Sequence, residues 1–140
     1  MGTWAIHALG NDEAADFLDD LTATGNTDLI TQAIDDAVEQ EDYLEAPSAE
    51  LALAAIEGLC ALHGSPSPVF HAQEGLADWL AERDPESELP PIGKAMQALD
   101  RVLGEDSELA ELFEESGDAD EWREGVLALR DRLAALQTRH

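Results

Sequence analysis

The sequence predicts an all-α fold: a single-domain bundle of five to seven helices, with an extended N-terminal arm packed across it. Three observations carry this expectation. Apolar residues recur at helical spacing through nearly the whole chain. Residues that start and stop helices sit at the ends of those apolar runs. No segment keeps up the two-residue alternation of a strand, apart from a weak trace in the opening "TWAIHAL". At 140 residues the chain is expected to be one domain over 1–140. A chain of this size buries roughly 68% of its unfolded surface and needs no disulfide or metal to fold.

Each element can be argued in order. Residues 1–10 are expected to form the arm, with Trp4 as its buried anchor and Ile6 and Leu9 beside it. Asn11 or Asp12 then caps a first helix carrying Phe17, Leu18 and Leu21 on one side and Asp16, Asp19 and Asp20 on the other. Gly25-Asn26 stops it, and Thr27 or Asp28 starts a second helix through Leu29, Ile30, Ala33, Ile34, Ala37 and Val38. In "YLEAPSAELALAAIEGLCALHG" a proline near the start costs little, because its missing N–H would be unused there. Ser48 is the expected cap and Gly64 the stop. Leu51, Ala52, Ala55, Ile56, Leu59, Cys60 and Leu62 give a broad apolar face rich in alanine, so this should be the central helix.

"SPSPVF" reads as a loop, Ala72 to Arg83 as a shorter helix with Leu76, Trp79 and Leu80, and 84–91 as an internal loop. Ile92, Met96, Leu99, Val102 and Leu103 resume the helical pattern up to Gly104. Asp106 or Ser107 caps the short "SELAELFEE" helix. Asp118 with Glu121 resembles a capping box before a last helix bearing Trp122, Val126, Leu129, Leu133 and Leu136. Arg130, Arg132 and Arg139 are expected to favour the negative end of its dipole.

Charge is the dominant compositional feature. Thirty-two Asp and Glu face seven Lys and Arg, for a net charge of -25, and Lys94 is the one lysine. Such a surface repels nucleic acid and anionic membranes and attracts cations or a basic protein. Hydrophobic residues make up 44% of the chain, which argues against disorder. The single cysteine, Cys60, lies in an apolar run and reads as core filler. The opening lacks the basic residues and apolar run of a signal peptide, and no apolar stretch approaches the roughly 20 residues of a membrane span. A cytoplasmic location is the expectation.

No pattern in the chain specifies a reaction. "GDADEWREGV" lacks the central glycine of a calcium loop, and Trp122 stands where a ligand should be. His71 and Glu74 reverse the Glu-x-x-His order of helical di-metal sites. Glu57, Cys60 and His63 share one broad helix face, but a site needs three or four ligands and no second cluster completes it. There is no nucleophile elbow, H-x-x-x-H pattern or glycine-rich phosphate loop. The chain is therefore expected not to be an enzyme and to carry no cofactor. Two surface features remain as candidates. One is an acidic face for a basic partner, formed by Asp35, Asp36, Glu39, Glu41, Asp42, Glu114 and Glu115. The other is a polar pocket around His7, Asn11, Asp12 and Asp16.

The opening also resembles that of a bacterial domain-of-unknown-function family, the one numbered four thousand two hundred and fifty-nine. Its members begin M-G-x-W-G-x-G-x-F-x-N-D-x-A-x-D-W. Met1, Gly2, Trp4, Asn11, Asp12, Ala14 and Asp16 match. Ala5 and His7 stand where glycine is usual, Ala8 where proline is, Leu9 where phenylalanine is, and Phe17 where tryptophan is. "YLEAPSAELALAAIE" looks like the family's middle motif. "ALDRVLGEDSELAELFEE" looks like its C-terminal one, with Phe113 in place of a tryptophan. The resemblance implies a single helical domain of bacterial source and no assigned activity.

Three functions from different classes follow. The first is an acidic binding protein for a basic partner, like an immunity protein or a mimic of DNA's charge. The second is a structural or housekeeping domain whose acidity adapts it to its surroundings. The third is an unrecognised enzyme or metal protein, using Asn11, Asp12 and Asp16 or Glu57, Cys60 and His63.

Overall fold

In the computed structural model, residues 12–24, 28–40, 43–63, 78, 92–104 and 106–138 are described. They form six helices: α1 (Asp12–Thr24), α2 (Asp28–Glu39), α3 (Ala46–Leu62), α4 (Ile92–Leu103), α5 (Glu108–Ser116) and α6 (Ala119–Thr138). The fold is all-α. Among the described residues the only β-type pairing is an isolated parallel bridge, Leu44 with Ser107. The expected arm over 1–10, the loops at 65–70 and 84–91, and most of the helix expected from Ala72 to Arg83 lie outside the described residues, although Asp78 is helical.

The centre is α3, as its composition requires. Fourteen of its 17 residues are buried, and it touches every other described helix. The expectation of one broad apolar face was too narrow: α3 is enclosed nearly all round, and Leu51 is left half-buried. A helix apolar on every side has no face to give to water, so its neighbours must surround it. Alanine at 46, 49, 52, 54, 55 and 61 lets their backbones come close. The other helices bury single stripes. Phe17, Leu18 and Leu21 point inward from α1; Ile30, Ala33, Ile34 and Ala37 from α2; Ile92, Ala95, Ala98, Leu99 and Val102 from α4. Trp122, Val126, Leu129, Leu133 and Leu136 line α6 as their spacing predicts. Helix α2 also packs on α4, and α6 packs on α4 and α5. Between α5 and α6 the Phe113 and Trp122 rings stack, with centroids 5.1 Å apart and planes 11° from parallel.

The helix ends show where local signals held and where tertiary contacts replaced them. Ser107 is the N-cap of α5, and its Oγ accepts from the Ala110 N–H. Gly117 ends the same helix at φ +86°, a left-handed conformation that glycine adopts without a Cβ penalty. The Asp118 and Gly117 N–H groups then return to the Phe113 and Glu114 carbonyls at 3.0 and 3.3 Å, closing a Schellman motif. Ser48 is not the cap of α3. Glu45 occupies that position without a side-chain cap, and Pro47 sits in the first turn. The Ala46 N–H donates instead to Glu108 Oε1 of α5 at 2.8 Å, and Ser48 Oγ accepts from Gln40 Nε2 at 2.7 Å. Asp118 does not close a box with Glu121. Its carbonyl accepts from the Trp122 N–H at 3.0 Å and its carboxylate from Ser116 Oγ at 3.3 Å.

The chain entering α3 and the chain entering α5 are joined. The Leu44 N–H donates to the Asp106 carbonyl at 2.7 Å, and the Glu108 N–H donates to the Leu44 carbonyl at 2.9 Å. Leu44 and Ser107 are fully buried at this bridge. The two helix N-termini therefore start side by side, and a carboxylate at one can cap the other.

Candidate functional site

The arginines of α6 are not placed for its dipole, and its last turn carries no basic residue. Arg132 Nη2 reaches Glu57 Oε1 of α3 at 2.7 Å, and Arg130 Nε reaches Asp100 of α4 at 3.1 Å. Arg139 lies outside the described residues. Two further pairs are Lys94 with Asp35 at 2.8 Å and Arg123 with Glu114 at 3.7 Å. Arg101, the remaining basic residue among those described, has its Nη2 atom buried. Four of the five lysines and arginines among the described residues thus tie the helices together.

The carboxylates point outward on several elements. Asp16, Asp19 and Asp20 of α1, Asp28, Asp36 and Glu39 of α2, Glu111, Glu114 and Glu115 of α5, and Asp120, Glu121, Glu124 and Asp131 of α6 are exposed. The acidic face expected from sequence therefore divides. Asp36 and Glu39 lie on α2, and Glu114 and Glu115 on α5; Asp35 already holds Lys94, and Glu114 leans toward Arg123. Glu41 and Asp42 lie outside the described residues. Asp35 also holds the Lys94 ammonium above its ordinary pKa, chiefly through their hydrogen bond. Tyr43, exposed just before the bridge, donates to Glu111 Oε2 at 2.5 Å. That bond, with the nearby charges of Glu111, Glu108 and Glu115, raises the phenol from 10.0 to about 12.

Of the expected polar pocket, His7 and Asn11 lie outside the described residues and Asp12 begins α1. Asp16 borders a different space, a groove of about 290 Å³ between α1, α2 and α3. Phe17, Leu29, Ala33 and Leu51 supply its apolar surface, and Asp16, Asp20, Gln32 and Asp36 its polar edge. Sequence reasoning missed this groove. The signal available was spacing: Asp16 and Asp20 lie one helical turn apart, as do Gln32 and Asp36. Nothing in the sequence said that those two faces converge.

Glu57, Cys60 and His63 do not combine as a metal site. Among the described residues no group of three His, Cys, Asp or Glu is arranged to hold a metal ion. Glu57 is 9% exposed at its side chain and is committed to Arg132 through Oε1. Cys60 is fully buried, and burial pushes its thiol to about 12, with Arg132 opposing and Glu57 adding. A thiol so placed stays protonated at neutral pH and is a poor nucleophile. No helix among the described residues is long and apolar enough to cross a membrane.

Comparison with known families assigns the fold to a group. The family described as "Domain of unknown function (DUF4259)" matches residues 2–125, most of the chain. The chain belongs to this family. The DUF4259 match takes in α1 to α5 and the first turns of α6, including the Phe113–Trp122 stack and the bridge between Leu44 and Ser107. Arg130 and Arg132 lie beyond it. No curated protein and no solved structure matches the chain.

Proposed function

We propose that this DUF4259 protein is a non-enzymatic acidic binding protein that engages a basic protein, in the manner of an immunity protein or a mimic of DNA's charge. The observation that carries the reading is the disposition of charge. The net charge is -25, and Lys94, Arg123, Arg130 and Arg132 are spent on ion pairs within the chain. Exposed carboxylates are left over on α1, α2, α5 and α6. Complementary charge of this kind gives fast, salt-sensitive association. A cytoplasmic location, with neither nucleic acid nor a membrane as partner, belongs to the same reading.

The test is a pull-down from native lysate with the tagged protein at about 50 mM and about 500 mM salt, read by mass spectrometry. One stoichiometric basic protein, lost at high salt, is the expected result. Absence of such a protein at both salts removes the reading. The second reading, acidity as adaptation to a salty interior, is favoured by the presence of a single lysine. It predicts that the isolated chain loses stability as salt is withdrawn, because screening relieves self-repulsion.

A further inference from the structure

We propose that the groove between α1, α2 and α3 is the anchoring point for that partner, and that it takes one arginine side chain from the basic protein. The inference rests on the acidic-binding reading above and adds a place and a head group to it.

The groove has two parts with different chemistry. Leu29 and Leu51 are half-buried apolar residues that the bundle leaves partly uncovered, and they border the groove with Phe17 and Ala33. Asp16 of α1 and Asp36 of α2 both border the groove, both are exposed, and neither takes part in an ion pair among the described residues. Among the described residues, no lysine or arginine lines the groove. An apolar floor bordered by the carboxylates of Asp16 and Asp36 suits a side chain that is aliphatic along its stem and cationic at its tip.

Size narrows the choice. Pockets for drug-sized ligands span about 300–1,000 Å³, and 290 Å³ lies just below that range. The space fits one long side chain. Two carboxylates on separate helices favour guanidinium over ammonium, because its planar fork presents donors in more than one direction at once. Gln32, exposed at the same edge, offers a further amide acceptor.

The test uses N-acetyl-arginine methylamide as probe on the full chain, followed by backbone amide shifts at about 150 mM salt. N-acetyl-citrulline methylamide, of the same shape without charge, and the lysine analogue are run beside it. The expected result is shifts centred on Asp16, Phe17, Gln32, Ala33 and Asp36, at least tenfold weaker with citrulline. Asp16→Asn with Asp36→Asn should weaken binding about tenfold, the effect of two exposed charge pairs. Gln32→Trp should block the groove while leaving every charge in place. All these positions except Phe17 and Ala33 are exposed, so the variants are expected to fold, and circular dichroism checks this. Shifts spread evenly over Glu115, Glu121 and Glu124, undiminished binding to Gln32→Trp, or tighter binding of the lysine analogue would overturn the inference. Each of these leaves the acidic-binding reading standing, because that depends on the pull-down alone. A pull-down without a basic protein removes the reading even if the groove binds arginine.

Discussion

Replacing Arg132 by methionine breaks the ion pair that ties α6 to α3. The Glu57 side chain is 9% exposed and that of Arg132 is 29% exposed, with 2.7 Å between Nη2 and Oε1. Removing one member of a buried pair typically costs 3–5 kcal/mol, because the remaining charge stays desolvated. Glu57 Oε2 is itself buried with no hydrogen-bond donor, so little else compensates its charge. Partial exposure of Arg132 lets water approach the carboxylate once the guanidinium is gone, which places the cost at the lower end, about 3 kcal/mol. Against a total stability of about 5–15 kcal/mol this is a large fraction, equivalent to a fall in melting temperature of about 10 °C. Urea denaturation with unchanged slope is the assay. Replacing both residues, Glu57→Leu with Arg132→Met, should recover the loss to within about 1 kcal/mol, because no buried charge remains. A loss below about 1 kcal/mol for Arg132→Met, or a double variant no better than it, would refute the reasoning.

Three other outcomes follow from the same structure. Glu108→Ala removes the carboxylate that receives the Ala46 N–H, and should cost about 1 kcal/mol in denaturation and speed exchange of that amide, whereas Glu108→Gln keeps an acceptor and should cost less. Gly117→Ala forces a Cβ into the left-handed region at φ +86° and should cost about 1 kcal/mol, through strain and not collision, since no atom lies within 4 Å of the added carbon. The Tyr43 phenol should titrate near 12 by ultraviolet absorbance, and Glu111→Gln should bring it back toward 10.0. Because the folded value lies above the unfolded one, the Tyr43–Glu111 bond supports the fold fully below pH 10 and its contribution fades as pH rises from about 10 to about 12.

Helical periodicity makes much of this fold legible in the amino-acid sequence. The α6 stripe from Trp122 to Leu136 and the α4 stripe from Ile92 to Val102 follow from where apolar side chains fall at 3.6 residues per turn, and the centrality of α3 from its apolar, alanine-rich composition. A cap at Asp106 or Ser107 was equally legible, and Ser107 takes the position, because its bond to the Ala110 N–H spans only three residues of chain. Ser48 misled for the complementary reason. It has the residue type of a cap, but the acceptor for Ala46 comes from Glu108, 62 positions away. Arg130 and Arg132 misled in the same way: proximity to a helix end suggested the dipole, while Asp100 and Glu57 on other helices offered closer carboxylates. The groove required α1, α2 and α3 together, so no single spacing could reveal it.

By itself, then, the sequence determined the helices, their buried stripes and the sign and excess of the charge, since these depend on residue type and on neighbours a turn or two away. Only the tertiary structure decided which carboxylates were taken up by cations and which border the groove. The physical reason is range. Burial patterns repeat within one helix, whereas an ion pair, a cap supplied by another helix or a groove exists only when distant segments meet. Asp35 and Asp36 are adjacent in sequence, yet the fold gives one to Lys94 and leaves the other at the edge of an apolar groove.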